Sequence, residues 1–260
     1  MPDPLNALFS FVFGAIVGSF LNVAILRLPN PGQSIVFPAS HCPSCKTPLA
    51  WYDNIPLVSF IVLRRRCRSC KTLISWQYPF VELTMGLFSL ALISHFNFPW
   101  PFFGFFLFTA ALLVVIVIDF KHQLIPDAIS IPGIFAGFAF SFLNPFVSWS
   151  DSGLGILFGG GILFLITYGY YLLTKRIGMG GGDIKLLAMI GAFLGYQSLP
   201  FVIFSSSLLG SIAGIGAMIK QKKGGKTVIP YGPFLATGAL LYLFFAPDIQ
   251  FYLRSLLLHE

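Results

Sequence analysis

The chain has 260 residues, 56% of them hydrophobic and only 10% charged, with 30 Phe. A soluble domain carries about a quarter charged residues, so this composition excludes a water-soluble globular enzyme and points to a membrane protein. The net charge of +7 is gathered in particular connections and reports topology, so nucleic acid is not an expected partner.

In chain order, apolar stretches run at about 5–26, 78–96, 101–118, 128–144, 153–173, 184–197, 201–219 and 232–246, followed by an amphipathic tail. Most reach the roughly 17–25 residues that a spanning helix needs. The expected fold is therefore an all-α polytopic membrane protein of about eight transmembrane helices. The first stretch lacks the basic leader and small-residue cleavage site of a signal peptide, and it reads as a retained helix.

Charge orients these helices. Of the 16 Lys and Arg, all but Arg254 fall at or beside alternate connections: Arg27 through Lys71, Lys121, Lys175 with Arg176 and Lys185, and Lys220 through Lys226. The connections at 97–100, 145–152 and 198–200 hold none. Basic loops stay on the cytoplasmic side, which puts both termini outside. The lipid bilayer is thus the first partner, with anionic headgroups plausible at the basic loops.

Two carboxylates stand at the edges of apolar segments, Asp119 in VVIVIDFKHQLIPD and Asp183 in GMGGGDIKLLAMIGAFLG. An acid at membrane depth is costly and defaults to a functional role, and a carboxyl pair is suited to activating water. Asp119 ends the third span and Asp183 opens the sixth, so both are expected near the inner face. A 14-residue sixth span rises only about 21 Å against a hydrocarbon core of about 30 Å, which would submerge Asp183 in a water-lined site. Gly178, Gly180, Gly181 and Gly182 precede it and leave room for an extended peptide beside the acid. A flexible loop leading into a helix with a favourable first-turn acid is the plainer account of the same residues. Asp127, just after Pro126, reads as the N-cap of the fourth span.

Cys42, Cys45, Cys67 and Cys70 form C-x2-C-x21-C-x2-C within the first cytoplasmic loop. Paired CxxC turns at this spacing fit a four-thiolate structural zinc site. A loop of about 50 residues is too small to fold on an apolar core alone. A redox pair and unmetallated thiols are the alternatives. His41 adjoins the first cysteine but is unnecessary as a ligand.

Taken together, GSFLNVAILRLP, HCPSCKTPLAWYDNIPLVSF, RRRCRSCKTLIS, YPFVELT, IDFKHQLIPD, GMGGGDIKLLAMIGAFLG and IPYGPFLATG resemble the type IV prepilin leader peptidases, bifunctional peptidase/N-methyltransferases of bacterial inner membranes. The resemblance covers nearly the whole length. It implies an aspartyl membrane protease of the GxGD kind with Asp119 and Asp183 as its catalytic pair and Asp127 as a secondary acid. The implied substrate is a prepilin or pseudopilin, itself anchored by an N-terminal membrane helix. Its basic leader is cut between Gly and a residue that is usually Phe, and the new amine is then methylated from S-adenosylmethionine. By the same resemblance, residues 1–26 form the first helix, 27–77 a zinc-binding loop linked to methyl transfer, and 78–260 the peptidase core. Asn22, Asp53, Asn54 and Glu82 are polar residues of the matched motifs and candidates to support the transferase. Helix packing (Asn22, Glu82) and turn chemistry (Asp53, Asn54) explain them equally well. Gln77 stands where the family pattern leads one to expect Arg. Membrane acids and short helices also mark ion paths, so a proton- or ion-coupled transporter is the competing reading, although the sequence contains no evident duplicated halves.

Overall fold

A computed structural model describes residues 3–30, 32–96, 99–175, 180–221 and 230–258, with the side chains of 99, 220, 221 and 246–258 left out of that description. Among the described residues all regular structure is helical: α1 Pro4–Arg27, α2 Val58–Val62, α3 Gln77–His95, α4 Pro99–His122, α5 Asp127–Ser141, α6 Trp149–Thr174, α7 Gly181–Leu194, α8 Leu199–Gln221 and α9 Gly232–Leu258. Each of the eight expected apolar stretches coincides with one of these helices, and α2 is the addition. Among the described residues four segments are long and apolar enough to cross a membrane, Pro4–Arg27, Trp100–His122, Trp149–Thr174 and Tyr196–Ile219.

The ends of the helices follow from local chemistry. Pro126 precedes α5 in extended conformation, φ −66° and ψ 125°, and its missing N–H costs nothing at a helix start, where that group has no intrahelical partner. The Ser148 hydroxyl accepts from Asp151 N at 3.1 Å and caps α6, while Gly195 at φ +77° stops α7.

Backbone packing divides the chain into two compact units, Met1–Val114 and Val115–Glu260, with α4 passing through the division. In the first unit α1 lies against α3. Gly14 and Gly18, one turn apart, let the backbones meet: a Cβ on Gly18 would sit 2.8 Å from the Glu82 Cα. Small residues serve this purpose in membranes, where lipid tails give apolar side chains no reason to leave them. Buried polar groups bind the pair. The Ser10 and Ser89 hydroxyls are 2.9 Å apart, and Asn22 Nδ2 donates to the Tyr78 carbonyl at 3.2 Å.

In the second unit α7 is the centre. Every residue from Leu186 to Leu194 is buried, and α5, α6 and α9 pack around it. A helix apolar on all faces belongs inside protein, so 14 residues suffice here: its neighbours, and not its own length, meet the lipid. Close approach again rests on glycine. Gly155 of α6 lies directly on the Gly191 backbone, and a Cβ on Gly159 would be 2.6 Å from the Leu187 carbonyl oxygen. The Ser152 hydroxyl donates to the Ala192 carbonyl at 2.7 Å. Gly155→Leu is expected to destabilise the second unit by at least about 2 kcal/mol through overpacking. Gly161→Ala, with nothing within 4 Å of the added carbon, should be neutral. Thermal unfolding in detergent measures both, and equal melting of the two variants would contradict this packing.

Candidate functional site

The second unit brings Asp119 and Asp183 into one neighbourhood. Asp119 is in the last turn of α4 and 4% exposed, Asp183 in the first turn of α7 and 9% exposed. The charge of Asp119 acts on Asp183. Each carboxylate also accepts a backbone N–H from a glycine, Asp119 from Gly232 and Asp183 from Gly180. These N–H groups belong to the starts of α9 and α7, where the first turns have donors without helical partners.

Ile125 fills the space between the glycines. A Cβ on Gly182 would lie 2.9 Å from the Ile125 Cβ, and one on Gly232 2.9 Å from its Cδ1 and 2.6 Å from Asp119 Oδ2. Gly232 therefore has a contact reason to be glycine. The sequence motifs did not single out Gly232 or Ile125, though Gly-Pro at the opening of a helix is a readable signal. Tyr231, beside Gly232, is held by its hydroxyl to the Ser206 hydroxyl at 2.8 Å. Of the glycines before Asp183, Gly180, Gly181 and Gly182 lie at the start of α7, and nothing is within 4 Å of a Cβ added to Gly181. Gly178 lies outside the described residues.

Asp127 is not an N-cap. It is the first helical residue of α5, Pro126 occupies the cap position, and no side-chain cap bond forms. Its carboxylate instead accepts two bonds from Lys185 Nζ, at 2.7 and 2.8 Å. Lys185 follows Asp183 by two residues and so points to a different face of α7. This pair ties the starts of α5 and α7 together at an exposed position.

The first unit holds the cysteines. All four Sγ atoms lie within 4.8 Å of one another, and none is in a disulfide. They come from two copies of one turn, C-x-S-C-K-T at 42–47 and 67–72. In each, the first cysteine N–H donates to the threonine carbonyl, Cys42 to Thr47 at 3.0 Å and Cys67 to Thr72 at 2.9 Å, while its carbonyl accepts from the lysine N–H. The lysines take the left-handed conformation that closes the turn, Lys46 at φ 59° and Lys71 at φ 60°. The Thr72 hydroxyl, joined by the Thr72 backbone N–H, pulls Cys70 down to about 6, and the Thr47 hydroxyl and N–H lower Cys45 in the same way. Thiolates are the ligating form of cysteine. A tetrahedral four-thiolate zinc with bonds of about 2.3 Å sets its sulfurs about 3.8 Å apart, and Cys42 and Cys70 Sγ are 3.8 Å apart. The donor set fits a metal ion.

Glu82, Asn22 and Asp53, three of the other candidate residues of this unit, have structural partners. Glu82 is buried and its Oε2 accepts from Leu57 N at 2.8 Å. Asn22 Oδ1 accepts from Gln77 Nε2 at 3.3 Å, so the Gln found in place of the expected Arg hydrogen-bonds the polar residue of α1. Asp53 receives Arg68 in a forked pair, Nη2 to Oδ1 at 2.6 Å and Nε to Oδ2 at 3.0 Å, and Asn54 is exposed.

Residues 12–96 match the bacterial peptidase A24 N-terminal domain, and residues 106–215 match the type IV leader peptidase family. The chain is 36% identical to a prepilin leader peptidase/N-methyltransferase of Aeromonas hydrophila over 95% of its own length and 93% of the relative's. It is 37% identical to the protein of that name from Pseudomonas aeruginosa, over 93% and 91%, and 35% identical to that from Neisseria gonorrhoeae, over 95% and 92%. No solved structure matches the chain. Similarity of this extent, along essentially the whole of both chains, means that the chain belongs to the type IV leader peptidase family and is a membrane peptidase with N-methyltransferase activity.

Proposed function

We propose that the chain removes the basic leader from a type IV prepilin or pseudopilin, cutting between Gly and Phe. It then methylates the exposed amine from S-adenosylmethionine. The observation that carries the cleavage reading is the buried pair Asp119 and Asp183, electrostatically coupled and each fixed by a glycine N–H. Two neighbouring carboxyls cannot both ionise cheaply, so they share a proton. The ionised member takes a proton from a water, which attacks the scissile carbonyl. The protonated member donates to the carbonyl oxygen as charge develops there and later protonates the leaving amine. Gly181, where nothing lies within 4 Å of an added Cβ, and Gly180 leave the approach to Asp183 open to an extended peptide, the role also assigned to Gly178, while Gly182 packs on Ile125. Asp127 is secondary, since Lys185 already neutralises it.

Residues 27–77 form the zinc-binding module in this reading, with Cys42, Cys45, Cys67 and Cys70 as ligands. Zinc there is structural: with four protein sulfurs it keeps no open position for chemistry. The module serves methyl transfer, and Asn22, Asp53, Asn54 and Glu82 support it: Glu82 holds Leu57, Asp53 holds Arg68 of the second cysteine turn, and Asn22 binds Tyr78 and Gln77 at the start of α3. Residues 78–260 make the peptidase core. The helices α3, α5, α7 and α9 complete eight membrane-embedded helices in the inner membrane, with basic connections and active site facing the cytoplasm and both termini outside.

Purified protein incubated with a synthetic prepilin and S-adenosylmethionine tests both halves by mass spectrometry. Loss of the leader and a gain of one methyl on the mature N-terminus are expected, and an intact peptide would refute the proposal. Cys42→Ser should lower bound zinc from one per chain to near zero by elemental analysis, whereas His41→Ala should leave it unchanged. A metal content indifferent to Cys42→Ser would remove the zinc assignment.

A further inference from the structure

Two parts of the first unit are absorbed neither by cleavage nor by the cysteine cluster: the short helix α2 and the arginines that follow it. Leu57, just ahead of α2, donates its N–H to Glu82 at 2.8 Å. Glu82 is five residues past Gln77, so this bond brings α2 alongside α3 about 7.5 Å along its axis, beside its first turns and not beyond its end. At that level α2 presents bare apolar side chains, Val58 53%, Ile61 73% and Val62 68% exposed. Trp76 stands at the start of α3, 62% exposed, with the Phe60 ring 5.0 Å away and Arg65 over its face at 5.3 Å.

The chain then turns through left-handed Arg64 and Arg65, φ 49° and 62°, into a cavity that reaches Cys67 and whose lining includes Val62, Leu63, Arg64, Arg66 and Arg68. Arg68 is held by Asp53. Among the described residues no ion pair engages Arg64 or Arg66. An apolar floor under unneutralised cations, next to an exposed Trp, is the chemistry of the boundary between acyl chains and headgroups.

We propose that α2 and residues 64–66 form an interfacial anchor, with Val58, Ile61 and Val62 in the acyl boundary and Arg64 and Arg66 on the phosphates of anionic phospholipid. The occupant is identified by charge complementarity and by continuity with the membrane that α1 and α3 enter on either side of this loop.

The experiment is hydrogen exchange with mass spectrometry on the full chain in nanodiscs of phosphatidylcholine alone or with one-third phosphatidylglycerol. Each arginine at an anionic surface contributes about fivefold, so amides 58–66 should exchange at least tenfold slower with phosphatidylglycerol. The Cys42–Thr47 turn should be unchanged. Arg64→Gln/Arg66→Gln should abolish the difference, Ile61→Ser should reduce it, and a zinc content of one per chain shows that the module is folded in both. Equal exchange in the two nanodiscs overturns the proposal, as does slowing that survives Arg64→Gln/Arg66→Gln. Slowing produced by soluble glycerol phosphate in phosphatidylcholine nanodiscs would mean a free-anion site and would equally overturn it.

Discussion

Asp119→Asn and Asp183→Asn are each expected to lower the cleavage of a synthetic prepilin by at least about a thousandfold, the loss that follows removal of an acid–base group. Asparagine keeps the shape and the hydrogen bond from Gly232 or Gly180 but neither takes a proton from water nor returns one to the amine. Packing around the buried pair is therefore retained while the chemistry is lost. Methylation of a peptide that already carries the mature N-terminus should persist in both variants, which separates loss of chemistry from loss of fold. Asp127→Asn removes only one partner of an exposed ion pair with Lys185, a contact of about 1 kcal/mol or less, and should reduce cleavage less than tenfold. Full activity in Asp119→Asn together with inactivity in Asp127→Asn would reassign the pair.

Gly232→Ala should cost about a hundredfold in kcat/KM for cleavage, because displacing a reacting group by about 1 Å carries a penalty of that order. The reason is contact and not backbone strain, since Gly232 does not take the left-handed conformation while its Cβ would be 2.6 Å from Asp119 Oδ2 and 2.9 Å from Ile125 Cδ1. Either the carboxylate or the start of α9 must move, and in both cases the N–H bond from Gly232 to Asp119 is lost. Gly216→Ala, with nothing within 4 Å of the new carbon, is the control and should match the parent. The idea fails if both alanine variants cleave at the parent rate.

These two expectations differ in how far the sequence foresees them. Asp119 and Asp183 are visible in the chain because an acid at the edge of an apolar run is rare enough to mark itself. Gly232 is not visible in that way. It sits beyond residues 106–215, the stretch that matches the peptidase family, and what makes it matter is a carboxylate far away along the chain. The Asp127–Lys185 pair, 58 residues apart in sequence, is hidden for the same reason, and the neighbouring proline made a cap the natural local reading of Asp127.

Composition and spacing by themselves determined that this is a helical membrane protein, where its apolar helices run, and that four cysteines in two like turns can share a metal ion. These are local properties: hydropathy over about twenty residues selects a spanning helix, and C-x2-C sets its two sulfurs through a single turn. Three features come instead from the packed fold: α7 is short because protein encloses it, Gly232 and Gly180 hold the two aspartates, and Glu82 holds the start of α2 beside α3. Those are contacts between distant segments, fixed by how closely glycine-bearing helices approach, and no window along the chain contains both partners.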